Sequence, residues 1–163
     1  MHDKTLWIMV GIPGSGKTWY AKNKLMRGPE WRYVSRDEVR FNLVSADEEY
    51  FSKEKEVFNQ FVNTIKAAFK EDEVTNVIAD ATHLNEASRN KIRRIFSNNY
   101  NIIPVVVICD LDTAIERNNN REGRARVPAS IIRCMYRRFQ DPDFDTNKYI
   151  GILHVFNNKN VEV

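Results

Sequence analysis

Apolar and polar positions change period several times along this chain, and the changes mark out alternating strands and helices. TLWIMV (residues 5–10) is an unbroken apolar run ending at a glycine, the pattern of a strand buried on both faces. A helix follows from Lys17 to Met26, stopped by RGPE. WRYVS (31–35) reads as a second strand, and DEVRFNLV (37–44) continues from it into a long segment, residues 47–72. There Phe51, Val57, Phe58, Phe61, Val62, Ile65 and Phe69 recur at spacings of three and four, which predicts a helix with one buried face. That aromatic stripe fits a core better than a base-stacking platform. VTNVIAD (74–80) is the third strand, and Asn85 caps a helix through Ser97. NIIPVVVICD (101–110) is the fourth strand, followed by helices over Thr113–Asn120 and ASIIRCMYRRF (129–139). YIGILHVF (149–156) is the last strand. Strand and helix in alternation predict an α/β fold, a mostly parallel sheet with helices on both faces.

Composition narrows the class without naming an activity. The 163 residues are 42% apolar and 29% charged, which suits one globular domain over 1–163 and excludes a disordered chain. No apolar run approaches the roughly 20 residues that span a bilayer, so no membrane partner is expected. The N-terminus lacks a basic flank and a small-residue cleavage site, and is not read as a signal peptide. Cys109 and Cys134 form neither a disulfide framework nor a zinc spacing, so a cytoplasmic location is the expectation. The net charge of +3 matters less than its placement. Between residues 117 and 138 stand Arg117, Arg121, Arg124, Arg126, Arg133, Arg137 and Arg138 against a lone Glu122. Clustered arginine is the usual footprint of a phosphate-bearing partner; the other reading, a solvated helix face, would normally mix in lysine and more acid.

GIPGSGKT (11–18) matches the phosphate-loop pattern G-x-x-x-x-G-K-[ST] between a predicted strand and a predicted helix. Gly11, Gly14 and Gly16, with Pro13 and Ser15 between them, let the backbone curl so that successive N–H groups point at phosphate oxygens. The helix that follows adds its positive end. Lys17 reaches the β- and γ-phosphates, and the Thr18 hydroxyl is a ligand for Mg²⁺. The stretch predicts binding of a nucleoside triphosphate with Mg²⁺.

A magnesium triphosphate site usually draws a carboxylate from the end of a neighbouring strand. Asp80, ending NVIAD, has that position and would hold the metal, directly or through water, or the loop hydroxyl; the plainer alternative is a turn aspartate. His83 lacks metal-ligand spacing and reads as structural. DLDT (110–113) misses the last position of the D-x-D-x-T phosphatase nucleophile motif and reads as a strand end followed by a helix cap. NNKN (157–160) lacks the aspartate that reads guanine. In SRDEVR (35–40), Ser35 and Glu38 make a capping box. Asp37 between them is either a first-turn helix acid or a base flanked by Arg36 and Arg40.

Taken together, GIPGSGKTWYAK, SRDEVR, DATHLNEASRNKI and ERNNNREGRARVPASIIRCMYRRF resemble the 5′-kinase domain of phage-type polynucleotide kinases, from about Thr5 to Phe139. The resemblance implies a three-layer P-loop kinase fold with an arginine-bearing lid at about 117–127. It implies Asp37 as the general base on the acceptor's 5′-hydroxyl, and Arg40, supported by Arg36, on the phosphate 3′ to it. It places Arg117 and Arg121 on the donor phosphates, Arg121 acting with Lys17 as charge moves to the leaving group. Arg124 and Arg126 receive no role. The implied partners are 5′-OH ends of DNA or RNA, with the γ-phosphate of ATP transferred to them. A 3′-phosphatase domain of the kind often joined to such kinases has no room here, and residues 141–163 have no counterpart in the motifs. Two other readings stay open: a kinase of the same scaffold acting on a small-molecule or tRNA-borne hydroxyl, and an ATP-dependent end-binding module without chemistry.

Overall fold

The computed structural model describes residues 2–143 and 148–157. Five strands form one sheet in the order β2-β3-β1-β4-β5, every neighbouring pair parallel. They are β1 (Thr5–Val10), β2 (Trp31–Ser35), β3 (Asn76–Asp80), β4 (Asn101–Ile108) and β5 (Leu153–Phe156). Parallel neighbours require crossovers, supplied by α1 (Lys17–Tyr20), α2 (Arg36–Leu43), α3 (Glu54–Phe69), α4 (Glu86–Phe96), α5 (Leu111–Asn119) and α6 (Ala129–Arg137). The expected α/β architecture is the observed one, and no helix among the described residues is long and apolar enough to cross a membrane.

The unbroken apolar run of β1 is explained by its central place. Leu6 and Ile8 pack with Phe61, Ile65 and Phe69 of α3 and with Ile92 and Phe96 of α4. Met9, facing the opposite way, packs with Ala21 and Leu25 and with Val105 and Val107 of β4. Each strand of the middle is thus covered twice, and alternate side chains feed separate cores.

The structure shortens several expected elements. The helix after the phosphate loop is one α turn, Lys17–Tyr20, continued by a π turn, Ala21–Leu25, in which the Met26 N–H reaches the Ala21 carbonyl at 3.0 Å. The long helix expected over 47–72 exists only from Glu54. Upstream, the Glu48 carboxylate accepts from the Ser45 N–H (3.2 Å) and hydroxyl (2.5 Å), and Lys53 binds both Glu48 and the Leu43 carbonyl. These local bonds compete with helical ones and turn the chain. Phe51 therefore leaves the core stripe and is 53% exposed. β3 and β5 begin later than expected, and β4 ends at Ile108 instead of 110. Residues 158–160 of NNKN lie outside the described residues.

Asn85 caps α4 with a complete capping box to Ser88. Ser35 accepts from the Glu38 N–H at 3.2 Å, the first half of the box expected there. Asp110 proves to be a cap: its two oxygens take the Thr113 N–H and hydroxyl, each at 2.8 Å. Both cysteines are free.

His83 is structural, as its spacing indicated. It holds a left-handed conformation (φ 43°) in the turn after β3, its Nδ1–H donates to the Met9 carbonyl at 2.8 Å, and buried Arg89 holds its own carbonyl at 2.9 Å. Burial pushes its imidazole down to about 4. Between pH 6.5 and 4 the unfolded chain carries a proton on this ring that the folded chain refuses, so stability falls as pH drops through that window, by about 3 kcal/mol at full extent. His83→Asn tolerates the left-handed backbone and retains a donor for Met9. Urea unfolding of this variant between pH 6.5 and 5 is expected to show a shallower loss of stability on acidification than wild type.

Candidate active site

The loop between β1 and α1 sits where the sheet order reverses, with β3 on one side of β1 and β4 on the other, the position at which open α/β sheets bind ligands. Its shape depends on two glycines at positive φ. A Cβ on Gly14 (φ 83°) would stand 2.1 Å from the Ala114 carbonyl oxygen of α5, and one on Gly16 (φ 90°) 2.1 Å from the Asn157 side-chain amide. The loop is thereby wedged between α5 and the segment after β5. Asn157 donates to the Ser15 carbonyl at 2.9 Å, and Arg117 reaches the Gly14 and Ser15 carbonyls at 3.5 and 3.4 Å. The Gly11 and Ser15 N–H groups bond the Thr82 and Ile12 carbonyls at 3.0 and 3.1 Å, and with the outward carbonyls held this way the rest of the loop can turn its N–H groups toward a ligand.

Lys17 is 9% exposed, and burial lowers its pKa against the opposing pull of Asp80 and Asp37 and with the push of Arg121. Thr18 donates its hydroxyl to Asp80 Oδ2 at 2.6 Å, and the Tyr33 hydroxyl of β2 donates to the same oxygen at 2.5 Å. Burial, then the Asp80 charge, raises the Tyr33 phenol far above its ordinary pKa, so it stays a donor. Two donors on one oxygen orient the carboxylate and leave Oδ1 for another partner. Because Thr18 gives its proton to Asp80, its lone pairs remain available. Hard oxygen donors of this kind fit Mg²⁺.

α2 supplies the second half of the site. Asp37 is 65% exposed, and its Oδ1 accepts from Arg40 Nη1 at 2.8 Å and from the Tyr50 hydroxyl at 3.3 Å. Arg40 is only 7% exposed and places Nε and Nη2 on Glu54 Oε1 at 2.9 and 2.8 Å. Arg36 bonds the other oxygen of Glu54 at 3.0 Å, while its own Nε is buried without a partner. One carboxylate at the start of α3 therefore holds two arginines together, and Arg40 lies over the Tyr50 ring at 4.8 Å.

The third part is the lid. Asn118, fully buried, donates to the Val127 carbonyl at 2.6 Å and accepts from the Val127 N–H at 2.9 Å, closing residues 119–126 into a loop. Pro13, Lys17, Thr18, Arg36, Asp37, Arg40, Asp80 and Arg121 all line one cavity of about 630 Å³. Arg117 is the expected site residue whose hydrogen bonds go to the loop backbone and to Cys109. Tyr33, Tyr50, Glu54, Asn118 and Asn157 escaped sequence reasoning. Each acts through a partner distant in the chain, and no local spacing signals it.

Removing the Glu54 carboxylate leaves Arg40 buried beside Arg36 with its main partner gone. Because Glu54 is 35% exposed, water screens part of this pair, and Glu54→Ala is expected to cost about 1–3 kcal/mol of stability. Urea unfolding at neutral pH should show the loss as a lower midpoint with an unchanged slope.

The chain is similar to several known proteins. Over 155 aligned residues the chain is 27% identical to a protein of Autographa californica nuclear polyhedrosis virus named as a bifunctional polynucleotide kinase/RNA ligase, covering 84% of this chain and 21% of that one. A chain in the structure of the Pnkp1/Rnl/Hen1 RNA repair complex superimposes with a TM-score of 0.69 at 20% identity, over 91% of this chain and 47% of that one. A fungal RNA kinase gives 0.64 at 14% identity, over 98% and 78%. This chain thus spans about a fifth of the viral relative and under half of the repair-complex protein, and the structural likenesses are likenesses of a P-loop kinase fold. A family model, AAA_33, described as an AAA domain, matches residues 6–142; the chain belongs to that family.

Proposed function

We propose that this chain is a polynucleotide 5′-hydroxyl kinase that moves the γ-phosphoryl group of ATP to the 5′-OH of a DNA or RNA end. The observation that carries the reading is the make-up of one cavity, whose lining combines ionic groups, Lys17, Asp37, Arg36, Arg40, Asp80 and Arg121, with apolar ones, Phe41, Phe51, Val127, Ile131 and Met135. An acceptor that carries both a phosphate and a flat apolar ring suits that mixed lining. A nucleotide has both, and a polyol has neither. The names of the viral relative and of the two structural neighbours point the same way.

The 5′-hydroxyl lies against Asp37, which takes its proton as O5′ bonds to the γ-phosphorus and the bond to the β–γ bridging oxygen breaks, releasing ADP. Arg40 and Tyr50 hold the Asp37 carboxylate in place. Lys17 and Arg121 carry the charge that spreads over the transferring group, chemistry that is mostly positioning and electrostatics. Thr18 and Asp80 would hold Mg²⁺, which when bound neutralises charge on the triphosphate. The phosphate 3′ to the hydroxyl meets Arg36 and Arg40, paired by Glu54, so an acceptor lacking that phosphate is a poor substrate. A module that only bound ends would gain nothing from a carboxylate beside that phosphate.

The test is transfer of labelled γ-phosphate from ATP to a 5′-OH oligonucleotide, a nucleoside 3′-monophosphate and a plain nucleoside. Label on the first two and little on the third is expected, whereas label on neither of the first two, with ATP still bound, would sink the reading. Asp37→Ala should lower turnover by about 10²–10⁴-fold with ATP affinity unchanged in equilibrium binding. Phe51, exposed on the cavity wall, is the natural stacking surface for the acceptor base, a contact worth about 1–3 kcal/mol. Phe51→Ala is therefore expected to raise KM for the 3′-monophosphate about 5- to 150-fold and to leave KM for ATP alone; Phe51→Tyr should restore it.

A further inference from the structure

Arg124 sits three residues beyond Arg121 in a single 3-10 turn, Gly123–Ala125. Its guanidinium crosses to α2, donating to the Val44 carbonyl and, at 3.1 Å, to the Phe41 carbonyl, residues 80 and 83 positions away in the chain. Its Cζ lies over the Phe41 ring, 4.7 Å from the centroid. Both carbonyls belong to the C-terminal end of α2, where backbone acceptors run out of intrahelical donors and the helix dipole favours a cation. The lid's other ties stay within its own neighbourhood. Asn118 closes its base on Val127, and Arg126 donates to the Arg121 and Asn119 carbonyls at 3.0 and 2.5 Å. Those bonds give the lid its shape, while Arg124 gives it its place over α2.

The consequence lies at the other end of α2. This helix is only eight residues long, and its first turns carry Asp37 and Arg40. The lid segment that carries Arg124 also carries Arg121. We propose that Arg124 is a positioning residue, a latch that holds the lid down on the acceptor helix and so registers Arg121 with Asp37 across the cavity. This rests on the kinase reading for its catalytic meaning, although the latch itself does not. The partners of Arg124 are neutral carbonyls and a ring face, at a half-buried site. Water can replace carbonyl acceptors more readily than it replaces a buried carboxylate, so the latch can open to admit an acceptor and close again. Arginine suits the task better than lysine, because its planar fork reaches two carbonyls while its face stacks on a ring.

Two measurements on the full chain decide the matter. In hydrogen exchange of the free protein, Arg124→Ala is expected to speed exchange across residues 119–127 by about 5-fold or more, with β1 and α3 unchanged as the control for folding. In the kinase assay with a 5′-OH oligonucleotide, the same variant should lose about 10-fold or more in kcat while its equilibrium affinity for ATP stays at the wild-type value, and Arg124→Lys should recover part of each loss. Unchanged exchange in the lid would overturn the latch. Faster lid exchange with wild-type kcat would overturn the registration role. Failure of the wild type to phosphorylate any hydroxyl acceptor would remove the kinase reading and that role with it, while the exchange result would still stand or fall alone.

Discussion

Asp80 Oδ2 is the point at which the site is assembled. It receives Thr18 from the helix after β1 and Tyr33 from β2, so three segments of chain are tied to one oxygen at the carboxyl ends of the central strands. Parallel pairing makes this possible, because every strand delivers its C-terminal end to the same edge. The register of β2 against β3 sets Ser35 beside Asp80, and the chain turns into α2 there. Asp37 therefore arrives next to the phosphate loop because strand pairing leaves it nowhere else to go. Lys17 is buried among these groups; burial lowers its pKa, and the charges of Asp80 and Asp37 oppose that lowering.

Arginine does a different job in each wall of the cavity. In α2, Arg36 and Arg40 share one carboxylate, Glu54, which desolvates two cations together instead of leaving either alone. In the lid, Arg124 and Arg126 bind backbone carbonyls and fix the loop's path. Arg117 reaches the carbonyls of the phosphate loop. Arg121 lines the cavity together with Arg124 and Arg126, and it is the lid arginine that shifts Lys17 electrostatically. A basic cluster that looks uniform in sequence is thus divided between building the walls and facing the ligand, and the division follows from which acceptors lie within reach of each side chain.

Much of the fold was legible because the chain's periodicities are strong. The continuous apolar run of β1 and the three-four stripe from Val57 to Phe69 each admit one burial pattern, and the structure has both. The phosphate loop was legible because its glycines answer a local backbone demand. Phe51 was misassigned to the core because it continues the stripe's spacing. Ser45, Glu48 and Lys53 turn the chain on either side of it, and local side-chain bonds of that kind have no period to read.

What the sequence determined by itself was therefore whatever is decided within a few residues: strand and helix type, the glycine-dependent loop, the caps at Ser35 and Asn85, and the placing of a carboxylate and two arginines on the first turns of one helix. What only the tertiary structure decided was which groups share a partner: Tyr33 and Thr18 on Asp80, Arg36 and Arg40 on Glu54, Asn157 on the phosphate loop, Arg124 on the end of α2. These pairs are separated by 14 to 142 positions in the chain. Their meeting depends on strand order and helix packing, so the same residue types in the same local patterns could have been paired otherwise.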